Sequence, residues 1–416
     1  MKRVVITKVG VITPNGNGLE EFSKSLSAGR SGLSEIDRFD SSTMSSRIVG
    51  QVRSMNKSQI IDRYPGLRDI HDEKVFLGLH AFLQVTDSGS LLHRDCAVNL
   101  GSSIESFHLQ NLFVLSPHKF DLDVYVSGIC NNSSPHSLTQ VPLDFLGHFI
   151  KKQFGVSGPN YLNCSACTAS TQAIGHSFHM IRDGRFRQIV TGGFDSMLTP
   201  LGLGGFSRLG ALNTENELKE KSIRPFDLTR QGTVLGEGAA VLVLEELEYA
   251  KERNAEILAE IIGYASSSDS YRLTEPDPDG AGIVLSMRKA FADAGIGPDS
   301  TDYINAHGTG TPANDRVETA AIRKVFGKRA YDIPVSSIKS MIGHLIGASG
   351  AVEIAGVIAM LNHGFISPTI NLEYEDPECD LDYVPNVSRK GWPDVVLKNS
   401  MGFGGQNASI LLRRFG

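Results

Sequence analysis

The chain has 416 residues, of which 41% are hydrophobic and 21% charged, so it is long enough for more than one globular domain. Its formal net charge of −6 gives no reason to expect nucleic-acid binding. Five scattered cysteines do not suit a disulfide framework and indicate reduced thiols, as in a cytoplasmic protein.

The chain opens on an extended apolar pattern, "MKRVVITKVGVITPNG". Lys8 interrupts this pattern before a signal-peptide core can form, so it predicts a first strand. Further strand-like runs alternate with helical patterns, which predicts an α/β protein with buried sheets. These runs are "RQIVTGGFDS", "AAVLVLEE", "DYINAHGTGT", "IPVSSIKS" and "NASILLRR".

The pattern also predicts how the chain divides. Residues 103–140 are the least regular part and predict a loop-rich insertion. The charged stretch "EELEYAKERNAEI" suggests a boundary between two α/β halves, residues 1–254 and 255–416. In each half a polar motif flanked by glycine follows a strand-like run.

The most apolar late stretch, "AVEIAGVIAML", covers residues 351–361 and contains Glu353. A membrane-spanning helix needs about 18 or more apolar residues. We therefore expect no membrane-spanning segment and a cytoplasmic location.

Two cysteines lie at a predicted strand-to-helix turn, in "NCSACTAS". After Cys167, residues Ile174, Phe178 and Ile181 share one helical face, and Gly184 stands where the helix should end. Cys167 would therefore lie near a helix N-terminus, whose unpaired N–H groups favour a thiolate and lower the thiol pKa. This position makes Cys167 a candidate nucleophile.

Other interpretations of the two thiols stay open at this point. Cys164 and Cys167 have the spacing of a redox pair or of half a zinc site, and they would also suit two small buried side chains. The other cysteines are scattered and supply no second pair of ligands, so we expect no metal.

Two histidines and a lysine follow later strand-like runs. His307 lies in the loop "NAHGTGTPAND", and Lys339 and His344 lie in "VSSIKSMIGHLIGASGAVE". Neither stretch contains the G-x-x-x-x-G-K-[ST] pattern, so nucleotide binding is a weak interpretation. Because active sites of α/β proteins gather at strand ends, Cys167 and the two histidines predict one catalytic site.

Together these motifs resemble the elongating β-ketoacyl-acyl carrier protein synthases of the thiolase superfamily. The similar stretches are "SACTAS", "NAHGTGTPAND", "SSIKSMIGHLIGASGAVE", "GFGGQNAS", "TPLGLGGFSRLGALNT" and "RPFDLTRQGTVLGEGAA". The resemblance implies a duplicated, five-layered αβαβα thiolase-like fold. It also implies a decarboxylative Claisen condensation, in which an acyl chain held on Cys167 is extended by malonyl-acyl carrier protein in type II fatty acid or specialised polyketide or polyene synthesis.

The resemblance assigns a role to each candidate residue. The catalytic residues would be Cys167, His307, His344 and Lys339. The N–H groups of Cys167 and Phe403 would form an oxyanion hole, with the Phe403 ring as a gate, and Glu353 would support the lysine–histidine network. Contacts with the substrate or its phosphopantetheine arm would come from Thr309, Thr311, Ile104 and Phe206.

The resemblance also sets the expected partners. No soluble cofactor need be bound, because phosphopantetheine arrives on the acyl carrier protein, and a homodimer is expected. Residues 107–145 match the family poorly and touch the expected dimer surface, so a heterodimer with a ketosynthase-like partner is the alternative. The family's "GSGIGG" segment is "GSSIES" here, at the border of the acyl pocket in relatives, and this departure bears on the chain length that the site accepts.

The alternative function is that of a non-catalytic partner subunit that determines chain length. Such partners typically lack the cysteine, so the intact Cys167 argues against it. A thiolase that uses coenzyme A is disfavoured by the pattern of two histidines.

Overall fold

A computed structural model describes residues 1–87, 92–104 and 141–416. The predicted insertion at 103–140 therefore lies outside the described residues, apart from its first two positions. The main strands are β1 (Val4–Thr13), β2 (Ala97–Gly101), β3 (Asn160–Asn163), β4 (Gln188–Ser196), β5 (Glu237–Glu246), β6 (Ala259–Ser268), β7 (Tyr303–Asn305), β8 (Val335–Ser336), β9 (Val395–Gly402) and β10 (Gln406–Arg413). Shorter strands are Gly16–Asn17, Ser34–Glu35, Ile48–Val49, Phe365–Ile366 and Arg389–Lys390.

The α-helices lie between these strands. They are α1 (Leu19–Ser27), α2 (Lys57–Arg63), α3 (Glu73–Asp87), α4 (Phe145–Phe154), α5 (Ala169–Arg182), α6 (Pro200–Arg208), α7 (Leu247–Glu252), α8 (Ala281–Ala294), α9 (Pro312–Phe326), α10 (Lys339–Ile342) and α11 (Ser349–His363). The alternation of helices and strands confirms the predicted α/β class.

The two halves of the chain repeat one sheet topology. The spatial order is β1-β5-β4-β2-β3 in the first half and β6-β10-β9-β7-β8 in the second. In each half the first three strands of that order pair antiparallel and the last three pair parallel. The same permutation with the same strand directions is what an internal duplication produces.

Three hydrophobic cores separate the layers. Antiparallel pairing of β1 with β6 joins the two halves into one continuous sheet. A central core contains α5 and α11 between the five-stranded halves of this sheet, the second core packs α3 and α4 on the first half, and the third packs α8 and α9 on the second half. Strand β5 shows the alternation, because Leu242 and Leu244 face the central core while Val241 and Val243 face the outer one. This order of layers is the expected αβαβα arrangement.

The predicted elements near the candidate site are confirmed. The first strand is β1, and the helix after Cys167 is α5, with Ile174, Phe178 and Ile181 buried on one face. Gly184 has the left-handed φ of 78° that suits the residue after a helix. The division at residues 254 and 255 stays a prediction.

The apolar helix needs one correction. The helical segment Ile346–His363 has 18 residues, so it is longer than the apolar stretch 351–361 and reaches the length that a membrane span needs. However, 89% of it is buried inside the protein, because α11 occupies the centre of the fold. Its apolar character is that of a core helix.

Candidate active site

Cys167 lies in a strained turn between β3 and α5. A 3-10 turn, Ala166–Thr168, runs directly into α5. Ala166 has a φ of 50°, a left-handed value that costs a residue with a side chain about 1 to 2 kcal/mol. The cost is tolerated because the turn places the Cys167 thiol on a cavity instead of inside the helix.

The protonation of Cys167 differs from the sequence prediction. Burial raises the pKa of the thiol to about 11, although Lys339 and hydrogen bonds from the backbone N–H groups of Phe403 and Cys167 itself oppose the rise. The predicted lowering of the pKa by the helix N-terminus is therefore wrong, because desolvation of a thiolate outweighs these contacts. The resting nucleophile is a thiol that loses its proton during reaction.

This protonation state predicts how Cys167 reacts with iodoacetamide, which attacks only the thiolate. In a Cys164→Ser background, we expect the alkylation rate of Cys167 to rise about tenfold per pH unit between pH 7 and 10, without a plateau. Peptide mass spectrometry after timed quenching would measure the rate at Cys167 alone. A plateau already reached by pH 8 would show that the thiol pKa is lowered.

His307 is held at the end of β7 by its backbone and its ring. Its backbone N–H and that of Gly308 each donate to the carboxylate of Glu318 at 2.8 Å. The Nζ of Lys339 donates to the carbonyl oxygen of His307 at 2.6 Å and lies 3.3 Å from the ring Nδ1. A lysine that donates to Nδ1 leaves the ring proton on Nε2.

His344 is held in the same tautomer by different contacts at its Nδ1. The backbone N–H of Ile346 donates to Nδ1 of His344 at 3.3 Å, and the hydroxyl of Ser349 lies 2.9 Å from it. The His307 and His344 rings are 5.3 Å apart between centroids and nearly perpendicular. The pair therefore offers two Nε2–H donors side by side.

Both rings are neutral at physiological pH. Burial, helped by the charge of Lys339, holds the pKa of His307 and of His344 well below the usual 6.5. A neutral imidazole keeps Nδ1 as an acceptor, so its Nε2–H orientation is fixed. Each ring can therefore donate a hydrogen bond from Nε2–H to an oxygen that gains negative charge.

Lys339 and Glu353 form the predicted supporting pair. The Nζ of Lys339 contacts Oε1 of Glu353, and both side chains are 1% exposed. Glu353 comes from α11, and its burial shows that it is not a solvated charge on the surface of that helix. The pair joins the loop of His307 to the central helix.

One cavity of about 370 Å³ brings most candidates together. Cys167, His307 and His344 line it, and so do Thr309, Thr311, Phe206 and Phe403. The rings of Phe206 and Phe403 stack with centroids 6.2 Å apart, and the hydroxyls of Thr309 and Thr311 are 2.8 Å apart. Ile104 is not part of this cavity: it is 64% exposed.

The competing thiol interpretations find no support here. Among the described residues no disulfide joins Cys164 to Cys167, and Cys164 is exposed whereas Cys167 is buried. The same residues contain no cluster of three or more histidine, cysteine or acidic side chains arranged to hold a metal ion.

Sequence reasoning missed three buried charges around the site. Glu318 holds the His307 loop, Asp195 accepts from the backbone N–H of Gly347 at 2.7 Å, and Lys398 lies 2.9 Å from Glu353. The sequence around Glu318 and around Asp195 does not distinguish an exposed carboxylate from a buried one. Lys398 gave a usable signal, because it interrupts the apolar run "VVLK" of β9.

The chain is similar to known proteins along nearly its whole length. Residues 1–250 match the N-terminal domain of β-ketoacyl synthases, and residues 258–373 match their C-terminal domain. The chain is 40% identical over 416 residues to the 3-oxoacyl-[acyl-carrier-protein] synthase 2 of Coxiella burnetii, with 99% of each covered.

Two solved structures are similar over the full length of both chains. One is a type II polyketide acyl-carrier protein in complex with its ketosynthase bound to the hexaketide, with a TM-score of 0.84 and 30% identity. The other is the ishigamide ketosynthase/chain length factor, with a TM-score of 0.84 and 33% identity.

Proposed function

The chain belongs to the β-ketoacyl synthase family and is a condensing acyltransferase, and from this membership we propose the roles of its residues. Cys167 accepts an acyl chain from a carrier thioester, and His307 and His344 activate malonyl-acyl carrier protein for condensation with it. The observation that carries this proposal is the shared cavity, where the buried thiol faces two neutral histidines.

Acyl transfer is the first step. The sulfur of Cys167 forms a bond to the acyl carbon, the bond to the carrier sulfur breaks, and the carrier thiol takes the proton that Cys167 loses. Negative charge develops on the thioester oxygen during this exchange. The N–H groups of Phe403 and Cys167, which now hydrogen-bond to the sulfur, are placed to receive that charge.

Condensation is the second step. The malonyl thioester loses carbon dioxide, and the enolate oxygen accepts hydrogen bonds from Nε2–H of His307 and His344. The enolate carbon then attacks the acyl carbon on Cys167, and the C–S bond breaks to give a 3-ketoacyl chain two carbons longer. The departing Cys167 thiolate takes up one proton from the solvent and returns to the thiol, the form that its raised pKa favours.

Thr309 and Thr311 would bind the phosphopantetheine arm. Both line the cavity together with His307, and their hydroxyls form one polar pair. Phe403 would act as a gate, because it lies in a turn with Gly404 and Gly405 and lines the cavity beside Phe206. Since the arm belongs to the carrier protein, no other cofactor is needed.

We further propose a dimer in the cytoplasm. Strand β3 ends the sheet order of the described residues, and its side chains are only partly buried, with Tyr161 43% exposed. An edge strand of this kind can pair with another chain. A second copy is the proposed partner, and a chain length factor such as the one in the ishigamide complex is the alternative.

Intact-protein mass spectrometry tests the proposed function. After mixing with carrier proteins loaded with different acyl chains, we expect the wild-type mass to rise by one acyl group for at least one chain length. The preferred chain would separate fatty acid from polyketide or polyene synthesis. No mass gain on folded protein with any chain would favour the non-catalytic partner subunit.

A further inference from the structure

Thr233 carries a buried hydroxyl that none of the steps above uses. The residue is 3% exposed and lines the cavity together with Cys167, His307 and His344. No polar atom of the described residues forms a hydrogen bond with its Oγ1. Because a buried hydroxyl without a partner destabilises a protein, a ligand that supplies the partner gains binding free energy at this position.

Backbone hydrogen bonds hold Thr233 between the loops of the two histidines. On one side, the N–H of Gly232 donates to the carbonyl oxygen of Gly310, in the loop of the first histidine, at 3.1 Å. On the other side, the N–H of His344 donates to the carbonyl oxygen of Val234 at 2.7 Å. The backbone of Thr233 is therefore fixed, whereas no hydrogen bond fixes its χ1 angle, and rotation about χ1 can direct Oγ1 to a ligand.

The other polar side chains of the cavity wall have partners or proposed roles. The two histidines and the threonine pair already have roles in the proposed function. Asn314 and Asn407 each donate to an aspartate, at 3.1 and 2.7 Å. Thr274 and Arg316 are exposed. Thr233 is therefore the buried hydroxyl of the described cavity wall that is left to bind a substrate.

The malonyl group has a carboxylate for which the proposed function names no donor. The thioester oxygen of the same substrate is assigned to the two imidazoles, and the arm is assigned to the threonine pair. A carboxylate without a hydrogen bond is strongly disfavoured inside a protein. A hydroxyl can donate to it, and a neutral donor opposes the loss of the carboxylate less than the charge of a lysine or an arginine would.

We propose that the Thr233 hydroxyl binds the carboxylate of the malonyl thioester and so selects malonyl over acetyl groups as the extending unit. This assignment rests on the proposed function. In the decarboxylation step, the bond between the methylene carbon and the carboxylate carbon breaks, carbon dioxide leaves, and the electron pair of that bond forms the enolate. Negative charge moves away from Thr233 in this step, so its hydrogen bond stabilises the bound substrate more than the transition state.

The test replaces Thr233 by Val, which keeps the shape of the side chain and removes the hydroxyl. For release of carbon dioxide from malonyl-loaded carrier protein, we expect KM to rise at least about tenfold while kcat does not fall. Thr233→Ser retains the hydroxyl and should keep a KM close to that of wild type. A fall in kcat without a rise in KM would contradict the proposal, since that is the result of disturbed packing around the histidines.

A binding measurement separates this proposal from catalysis. The probes are carrier proteins loaded with a malonyl amide or an acetyl amide, in which nitrogen replaces the thioester sulfur. We expect the ratio of their two affinities to shift at least about tenfold against the malonyl form in Thr233→Val. An unchanged ratio would overturn the proposal, also if acyl capture by Cys167 became slower, because the hydroxyl would then serve the acyl chain. If the ratio shifts but wild type releases no carbon dioxide, only the proposed function fails.

The matched control is Thr301→Val, which removes another buried hydroxyl that has no hydrogen-bond partner among the described residues. Thr301 is 0% exposed and does not line the cavity. Its replacement should leave both KM and the affinity ratio at their wild-type values. A shift of the same size in this control would show that the effect of Thr233→Val does not come from the cavity, and would overturn the proposal.

Discussion

Cys167→Ala is expected to abolish condensation, with a loss of about 10³-fold or more in the rate of 3-ketoacyl formation. The physical reason is that Cys167 is the only thiol among the described residues that line the cavity with both histidines, so the acyl chain then has no thioester attachment from which to be extended. Release of carbon dioxide from malonyl-loaded carrier protein should persist, because the donors of His307 and His344 are untouched. Product mass spectrometry and a carbon dioxide assay on one sample measure both activities.

Cys164→Ser is the matched control for this substitution. Cys164 is exposed and three residues earlier in the chain, so its replacement should leave the acyl mass gain intact. An acyl adduct on Cys167→Ala, located by peptide mapping, would identify a different nucleophile and contradict the assignment.

His344→Ala is expected to have the next largest effect. Removing one preorganised donor costs about 10²- to 10³-fold in the decarboxylation rate, because the enolate oxygen then keeps only one hydrogen bond. Acyl capture by Cys167 should continue, since the N–H groups proposed for that step belong to Phe403 and Cys167. Stopped-flow detection of carbon dioxide and intact-protein mass spectrometry separate the two steps.

A histidine outside the cavity provides the comparison for His344→Ala. His176 is an exposed residue on α5 and stacks edge-on with Tyr264, so His176→Ala should change neither step. If His344→Ala instead lost acyl capture and kept decarboxylation, the histidine would serve the nucleophile, and the division of roles proposed above would be wrong.

Much of the fold could be predicted from local pattern. The period of the apolar residues around Ile174 located α5, and the strand ends placed Cys167, His307 and His344 together. Short motifs succeed here because the glycines and the strand ends that form the cavity are local features of the chain. Ile104 is exposed and lies outside the cavity of the described chain, so its predicted contact with the substrate stays a prediction.

The protonation of the site could not be predicted in the same way. A helix N-terminus suggested a lowered pKa for Cys167, but the fold buries the thiol, and burial depends on contacts between distant parts of the chain. Likewise Glu318 and Lys398 become neighbours of the site only when α9, β9 and α11 pack together. The sequence around Glu318 carries no record of that packing, and the sequence around Lys398 shows only that a charge follows an apolar run.

The turns before α5 and α11 occupy equivalent positions in the two halves of the chain. The 3-10 turn Ile346–Ala348 in the second half repeats the turn of Cys167, and Ile346 has a φ of 45° where Ala166 has 50°. The residue equivalent to the nucleophile is Gly347, where a side-chain carbon would lie 2.6 Å from the backbone of Ser102. One ancestral turn kept a reactive side chain, and its copy lost the space for one. The halves have thus become specialised and cannot exchange places, and a chain built from two copies of the first half would possess two thiols without the histidines that they need.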